Sequence, residues 1–175
     1  MAIANGQSQK DATFMSSEAK LGRVIVGRIL PGSDLVTGIE KICRKHDVRQ
    51  AIILGAIGSI VNPHIEWAAF TEARPVTGNT ASRTLAGAGS LMSGQGLVCE
   101  TEGTDELNIH IHCTVTDPSG TVLGGHFNKQ AVEVLSTTDL TLVEITGVKV
   151  IRRPDPISGK MFTFIEATNQ PEGCK

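Results

Sequence analysis

HIHCTVTDPSGTVLGGH, residues 110–126, holds three of the chain's five histidines around a segment with turn chemistry. Asp117 can accept backbone hydrogen bonds at the first turn position, Pro118 supplies the φ wanted at the second, and Gly120 can take a left-handed conformation at the fourth. These residues predict a three-residue hairpin built on a type I turn with a glycine bulge. Asp117 then pairs with Thr121, and counting outward puts His112 opposite His126. A four-residue loop would pair Thr116 with Thr121 instead and send His126 to the other face.

Side chains two apart on a strand share a face, so His110 joins His112 and His126 while Ile109, Ile111, Cys113 and Val115 point the other way, into a core. Cross-strand β-carbons lie about 4.5 to 5.5 Å apart, and nitrogens must come within about 2.0 to 2.1 Å of a shared zinc ion. Three neutral imidazoles at that spacing suit a divalent metal, zinc favoured, with other first-row ions also accommodated. Such an ion would polarise a substrate oxygen or activate water. Glu66, Glu100 and Glu102 are candidate acid/base groups, with His64 a further ligand candidate, whereas Asp117 lies too near the turn to be a fourth ligand. Gly124 and Gly125 leave room for another backbone or a ligand beside His126. The bland reading of strand histidines, as solvated or hydrogen-bonded residues, is the alternative that the shared face weighs against.

Working outward, LNIHIHCTV and TVLGGHF read as the two strands of that hairpin. Upstream, GRVIVGRIL suits a strand, after which Ser33 and Asp34 offer N-caps for a helix whose Leu35, Val36, Ile39, Ile42 and Cys43 form one buried stripe. Lys41, Arg44 and Lys45 fall on its solvated face. VRQAIILG reads as a buried strand, making strand, helix, strand a crossover unit. GAIGS is expected to be a tight turn, because it has neither the lysine of a P-loop nor a dinucleotide fingerprint. HIEWAAF is a strand with Asn62, His64 and Glu66 on one side. TEARPVTGNTASRTLAGAGSLMSGQG reads as a loop with short strands, and AVEVLSTTDLTLVEITGVKVIRR as two strands around a polar break.

The 175 residues fit one domain, organised as a flexible leader over 1–20, the folded domain over 21–153 and a tail over 154–175. Aromatics are only 3% of residues while Gly numbers 19, so the core must be aliphatic and tightly turned, which favours strands under a few helices. A formal charge of −2 gives no bulk attraction to nucleic acid or anionic membrane. Cys43, Cys99, Cys113 and Cys174 form no CxxC pair, and no secretory or membrane-spanning apolar run is present, so a cytoplasmic protein without structural disulfides and without a membrane partner is expected. The hydrolase elbow is absent. The cupin pattern fails because Thr114, Val115 and Thr116 occupy the positions where its glutamate follows the paired histidines.

PGSDLVTGIEKICRKHDVRQAIILGAIGSI, the HIH strand, DPSG, LGGH, AVEVLSTTDLTLVEI and RRPDPISGK, in that order over roughly residues 21–160, resemble the plants-and-prokaryotes conserved (PPC) domain. The resemblance implies an α/β (α+β) fold, a mainly antiparallel curved sheet with a few helices in a single domain, assembled as a homotrimer. It also brings a suggested DNA-binding, regulatory role, which in plant members goes with AT-hook segments having an Arg-Gly-Arg-Pro core. That core is missing here. Prokaryotic members carry the histidine set that plant members generally lack, so the resemblance favours a bound metal over DNA. Three functions are therefore expected as alternatives: a DNA-binding or regulatory trimer, a metal-dependent enzyme acting on a small molecule, and a metal-stabilised assembly module.

Overall fold

The computed structural model describes residues 14–69, 79–156 and 159–168. In chain order these form β1 (Lys20–Ile29), α1 (Leu35–Lys45), β2 (Ala51–Val61), β3 (His64–Ala69), β4 (Asn79–Thr84), β5 (Ala88–Thr101), β6 (Leu107–Thr116), β7 (Val122–Phe127), β8 (Glu133–Thr146), β9 (Val148–Pro154) and β10 (Met161–Ala167). The strands make one sheet in the order β1-β8-β2-β5-β6-β7-β3-β4. All of its pairings are antiparallel except one: β9, which pairs with β10, runs parallel to the end of β5 through Glu100↔Ile151 and Thr101↔Arg152. The sequence predicts a few helices, but α1 is the one α-helix among the described residues.

α1 begins where the sequence offers its cap. The Asp34 carboxylate accepts a 2.7 Å hydrogen bond from the Thr37 backbone N–H, one of the donors that the first helical turn leaves unpaired. Arg44 and Lys45 occupy the last turn, where positive charge opposes the helix dipole. Leu35, Val36, Ile39 and Cys43 are buried, and Ile42 packs beside them on the same core. That stripe meets Ile53, Ile60, Ile111, Val115, Phe127, Leu140 and Leu142 on one face of the sheet. Fully burying side chains of this size is worth about 1.5–3 kcal/mol each, so this face holds the domain together. β1 and β2 flank α1 in sequence as expected, but β8 lies between them and pairs antiparallel with both.

Several segments depart from their sequence reading, for a common reason. Gly55–Ser59 is not a turn but the interior of β2, with register shifts against β8 on either side of it. A Cβ on Gly58 would lie 2.1 Å from the Thr137 carbonyl oxygen, so the glycine admits a neighbouring backbone instead of reversing the chain. The turn comes later, at Asn62 with φ +46, which removes Asn62 from the face of His64 and Glu66. Likewise GAGSLMSGQG is not a loop but most of the 14-residue β5. Ser136–Asp139 does not break β8; the chain turns at Gly147, φ +77, and β9 leaves to pair with β10 and β5 rather than with β8. In the expected tail, Met161–Ala167 is β10.

Cys43, Cys99 and Cys113 are free and buried, and burial pushes the Cys43 thiol up to about 11 and the Cys113 thiol up to about 12. Cys174 and the leader residues 1–13 lie outside the described residues. Among the described residues, no helix is long and apolar enough to cross a membrane.

Candidate metal centre

The β6–β7 register is the one that the turn dictates. Gly120 N–H donates to the Asp117 carbonyl at 3.0 Å, and Asp117 N–H donates to the Thr121 carbonyl at 3.0 Å. Asp117 Oδ1 is engaged in the turn, accepting from the backbone N–H groups of Ser119 and Thr121 at 2.9 Å each, and Gly120 takes φ +83. His112 consequently stands opposite His126. Ile109, Ile111, Cys113 and Val115 are buried beneath α1, leaving His110, His112 and His126 together on the other face.

The three rings converge. Their centroids are 5.0, 5.1 and 5.4 Å apart, and one candidate ligand atom from each lies within 4.8 Å of the others. His110 Nε2 and His112 Nε2 are 3.0 Å apart, so no more than one of them carries a proton on that line. His126 Nε2 donates to Asn128 Oδ1 at 3.1 Å; in that tautomer Nδ1 keeps its lone pair, and Nδ1 is buried with no hydrogen-bond partner. Tetrahedral ligands at zinc distances sit about 3.3 Å from one another, close to the 3.0 Å that already separates His110 Nε2 from His112 Nε2. The partial burial of His110, followed by the nearby His126 and His112, lowers its pKa. Burial also lowers that of His126, against a raising hydrogen bond to Asn128. Both rings are thus biased toward the neutral form that binds metal. The donor set fits a divalent ion.

The candidate carboxylates divide by strand parity. Glu66 on β3 pairs directly with His126 across β7 and stands on the histidine face. What permits this approach is Gly125, where a Cβ would meet the Glu66 carbonyl oxygen at 2.3 Å. Glu100 is the neighbour of Leu107 and projects to the opposite face of β5, 3.8 Å from Arg49. Glu102 lies past the end of β5, 3.6 Å from Arg153. Neither belongs to the histidine group. His64 stays outside it too: Nδ1 is 2.8 Å from Thr84 Oγ1 and Nε2 is 4.0 Å from a Glu66 carboxylate oxygen.

The histidines open onto a cleft of about 1100 Å³ that also takes in Glu66, Asn108, Asn128, Lys129 and Arg152. Sequence reasoning missed Arg152. It reaches this place through the parallel contact of β9 with β5, a pairing between segments some fifty residues apart for which no local motif gives notice.

Known proteins match this sequence and this fold. The Plants and Prokaryotes Conserved (PCC) domain model matches residues 16–146. A bifunctional GlmU protein from Synechococcus sp. (strain JA-3-3Ab) is 26% identical over 144 residues, 82% of this chain; the chain spans about a fifth (21%) of that relative's length. A plant- and prokaryote-conserved protein from Pyrococcus horikoshii is similar at 29% identity and TM-score 0.69, covering 85% of this chain and 96% of its own. A metal-containing protein from Archaeoglobus fulgidus shares the fold at TM-score 0.71 and 22% identity, with 86% and 99% covered. Further solved structures of this fold, 16% and 17% identical, are proteins for which DNA binding has been suggested. The long family match and the shared sheet lead to one conclusion: the chain belongs to the Plants and Prokaryotes Conserved domain family.

Proposed function

We propose that this protein is a homotrimeric, metal-binding member of its family in which His110, His112 and His126 hold a divalent ion, zinc favoured, and a small molecule is bound beside it. The observation that carries this reading is the convergence of three imidazoles at the mouth of an open cleft. A bound ion would act there as a Lewis acid toward an oxygen of the ligand. Glu66, which pairs with His126 across the ladder and has its carboxylate 4.0 Å from His64, would accept or return a proton there. This makes the metal-dependent enzyme the better supported form of the reading, and Glu66 its acid/base group.

Self-association is supported by the sheet face that α1 does not cover. Val24, Val26, Leu54, Ile57 and Met92 are each more than half exposed there. Through Val24↔Val143, Ile52↔Val143, Ile52↔Leu97 and Leu97↔His110, that surface continues along the ladder to the metal ligands. Contiguous exposed apolar surface of this kind marks an interaction site. A second copy of the chain suits it, and the metal centre would then lie near the subunit interface. DNA binding, suggested for some neighbours of the fold, gains little support from the exposed arginines here. Arg23, Arg28, Arg44, Arg49 and Arg153 are each paired with a carboxylate.

Metal analysis of the purified full chain tests the centre. One divalent ion per chain is expected, with loss of that ion in His112→Ala; stoichiometric metal retained by this variant would sink the site. Sedimentation should give three chains per particle, and a monomer at micromolar concentration would remove the trimer. If chelation lowers the melting temperature without affecting ligand binding, the assembly-module reading gains over the enzyme. DNA affinity that falls steeply with salt would favour the regulatory reading.

A further inference from the structure

Arg152 and Arg153 are neighbours in sequence with opposite surroundings. Arg153 is ion-paired with Glu166, lies near Glu102, and stacks 4.4 Å above the Phe164 ring. Arg152, one residue earlier, faces the other way. It is opposite Thr101 on β5 and Thr163 on β10, in step with Val148 and Val150, whose side chains pack with Cys99 and Leu97 on the histidine face. It is partly buried and lines the cleft, and among the described residues it has no carboxylate partner. Its charge reaches the imidazoles, lowering the pKa of both His110 and His126.

A partly buried guanidinium without a counter-ion, set beside three imidazoles, is an unfavourable arrangement unless an anion completes it. The carboxylates lining the cleft do not do so. Glu66 has its carboxylate 4.0 Å from His64 Nε2, Glu106 is exposed at the rim, and Lys129 there is itself paired with Glu40 at 2.7 Å. We propose that Arg152 makes the cleft a site for a small-molecule oxyanion, a carboxylate or a phosphate monoester, bridging the guanidinium and the three-histidine centre. The inference rests on the metal reading for the second half of that bridge. The planar fork of arginine suits both kinds of anion, which it can hold through two parallel hydrogen bonds. Asn108 and Asn128, also on the cleft wall, offer amide donors to the remaining oxygens. Met161 and Phe162 line the same cleft and give an apolar surface to the body of the ligand.

The test loads the full chain with Co²⁺ and titrates it with benzoate, phenyl phosphate and the neutral benzamide, reading heat and the visible spectrum of the metal. Native protein should bind at least one of the two anions well above benzamide, with a change in the cobalt spectrum; which one binds tells carboxylate from phosphate. Arg152→Gln should take up the same cobalt yet bind that anion about tenfold to a hundredfold more weakly, the range expected for losing a charge-assisted contact. Arg83→Gln, an exposed arginine on β4, should change nothing. Equal affinity of native and Arg152→Gln protein for both anions, or benzamide binding as tightly as they do, would overturn the proposal. So would a short DNA duplex displacing phenyl phosphate at lower concentration than the free anion. Absence of cobalt uptake by the native chain would count against the metal reading alone. Calorimetry on the metal-free chain then decides the anion site, which stands if binding depends on Arg152 and falls if it does not.

Discussion

The two faces of the sheet are built from alternate residues of the same strands, yet they obey different rules. Beneath α1, Ile53, Ile60, Ile111, Val115, Phe127, Leu140 and Leu142 are at most 1% exposed, and no ionisable group but the buried cysteines interrupts them. On the other face Val26 is 78% exposed and Leu54 56%, and this apolar surface gives way at β6 and β7 to three histidines, a glutamate and an arginine. The first face is explained by the folding of one chain. The second is not, since the folding of a single chain does not reward exposed valines and leucines, or a guanidinium that has no carboxylate partner among the described residues. The proposed trimer and anion site would account for it.

The contrast predicts a gradient of effects. Phe127→Ala, in the covered face, should cost about 3–5 kcal/mol in urea unfolding; a loss below about 1 kcal/mol would mean that this core is far looser than its burial implies. Next, Gly125→Ala should cost about 1–3 kcal/mol in the same unfolding curves by forcing backbone apart. Asp34→Ala should lose about 1 kcal/mol through the helix cap, measurable by the same unfolding curves.

Acid should act on the site face. His110 and His126 have lowered pKa values in the folded chain. Below an unfolded value of about 6.5 the unfolded chain therefore binds protons that the folded chain resists. Stability of metal-free protein should fall as pH drops through that value toward the folded pKa values, and stay level above it with respect to these groups. A melting temperature that rises between pH 7.5 and 5.5 would contradict this. Smallest for the chain itself is Leu54→Glu, expected within about 0.5 kcal/mol for an isolated subunit while dispersing the oligomer in sedimentation.

Legibility in the sequence follows the same division. The α1 stripe and the β6–β7 register could be read because each is fixed locally, by helical spacing with an Asp cap and by the DPSG turn. The glycine-rich stretches misled because glycine serves two purposes: at Gly120 it turns the chain, whereas at Gly58 it lets β8 come close. Which purpose applies depends on a strand far away in sequence. The same holds for the site. Its histidines lie within one hairpin and were legible, but sorting Glu66 from Glu100 and finding Arg152 required the β3–β7 and β5–β9 pairings.

Gly125 carries a consequence beyond the space it leaves. With no side chain between β7 and β3, the backbones of Glu66 and His126 stand at the ordinary strand spacing, about 4.7–4.9 Å, and are not held apart by a wedge. The sheet acts as a ruler for the pair of groups. The strand spacing thus fixes where the two side chains leave the sheet, a starting point that does not shift as their rotamers change.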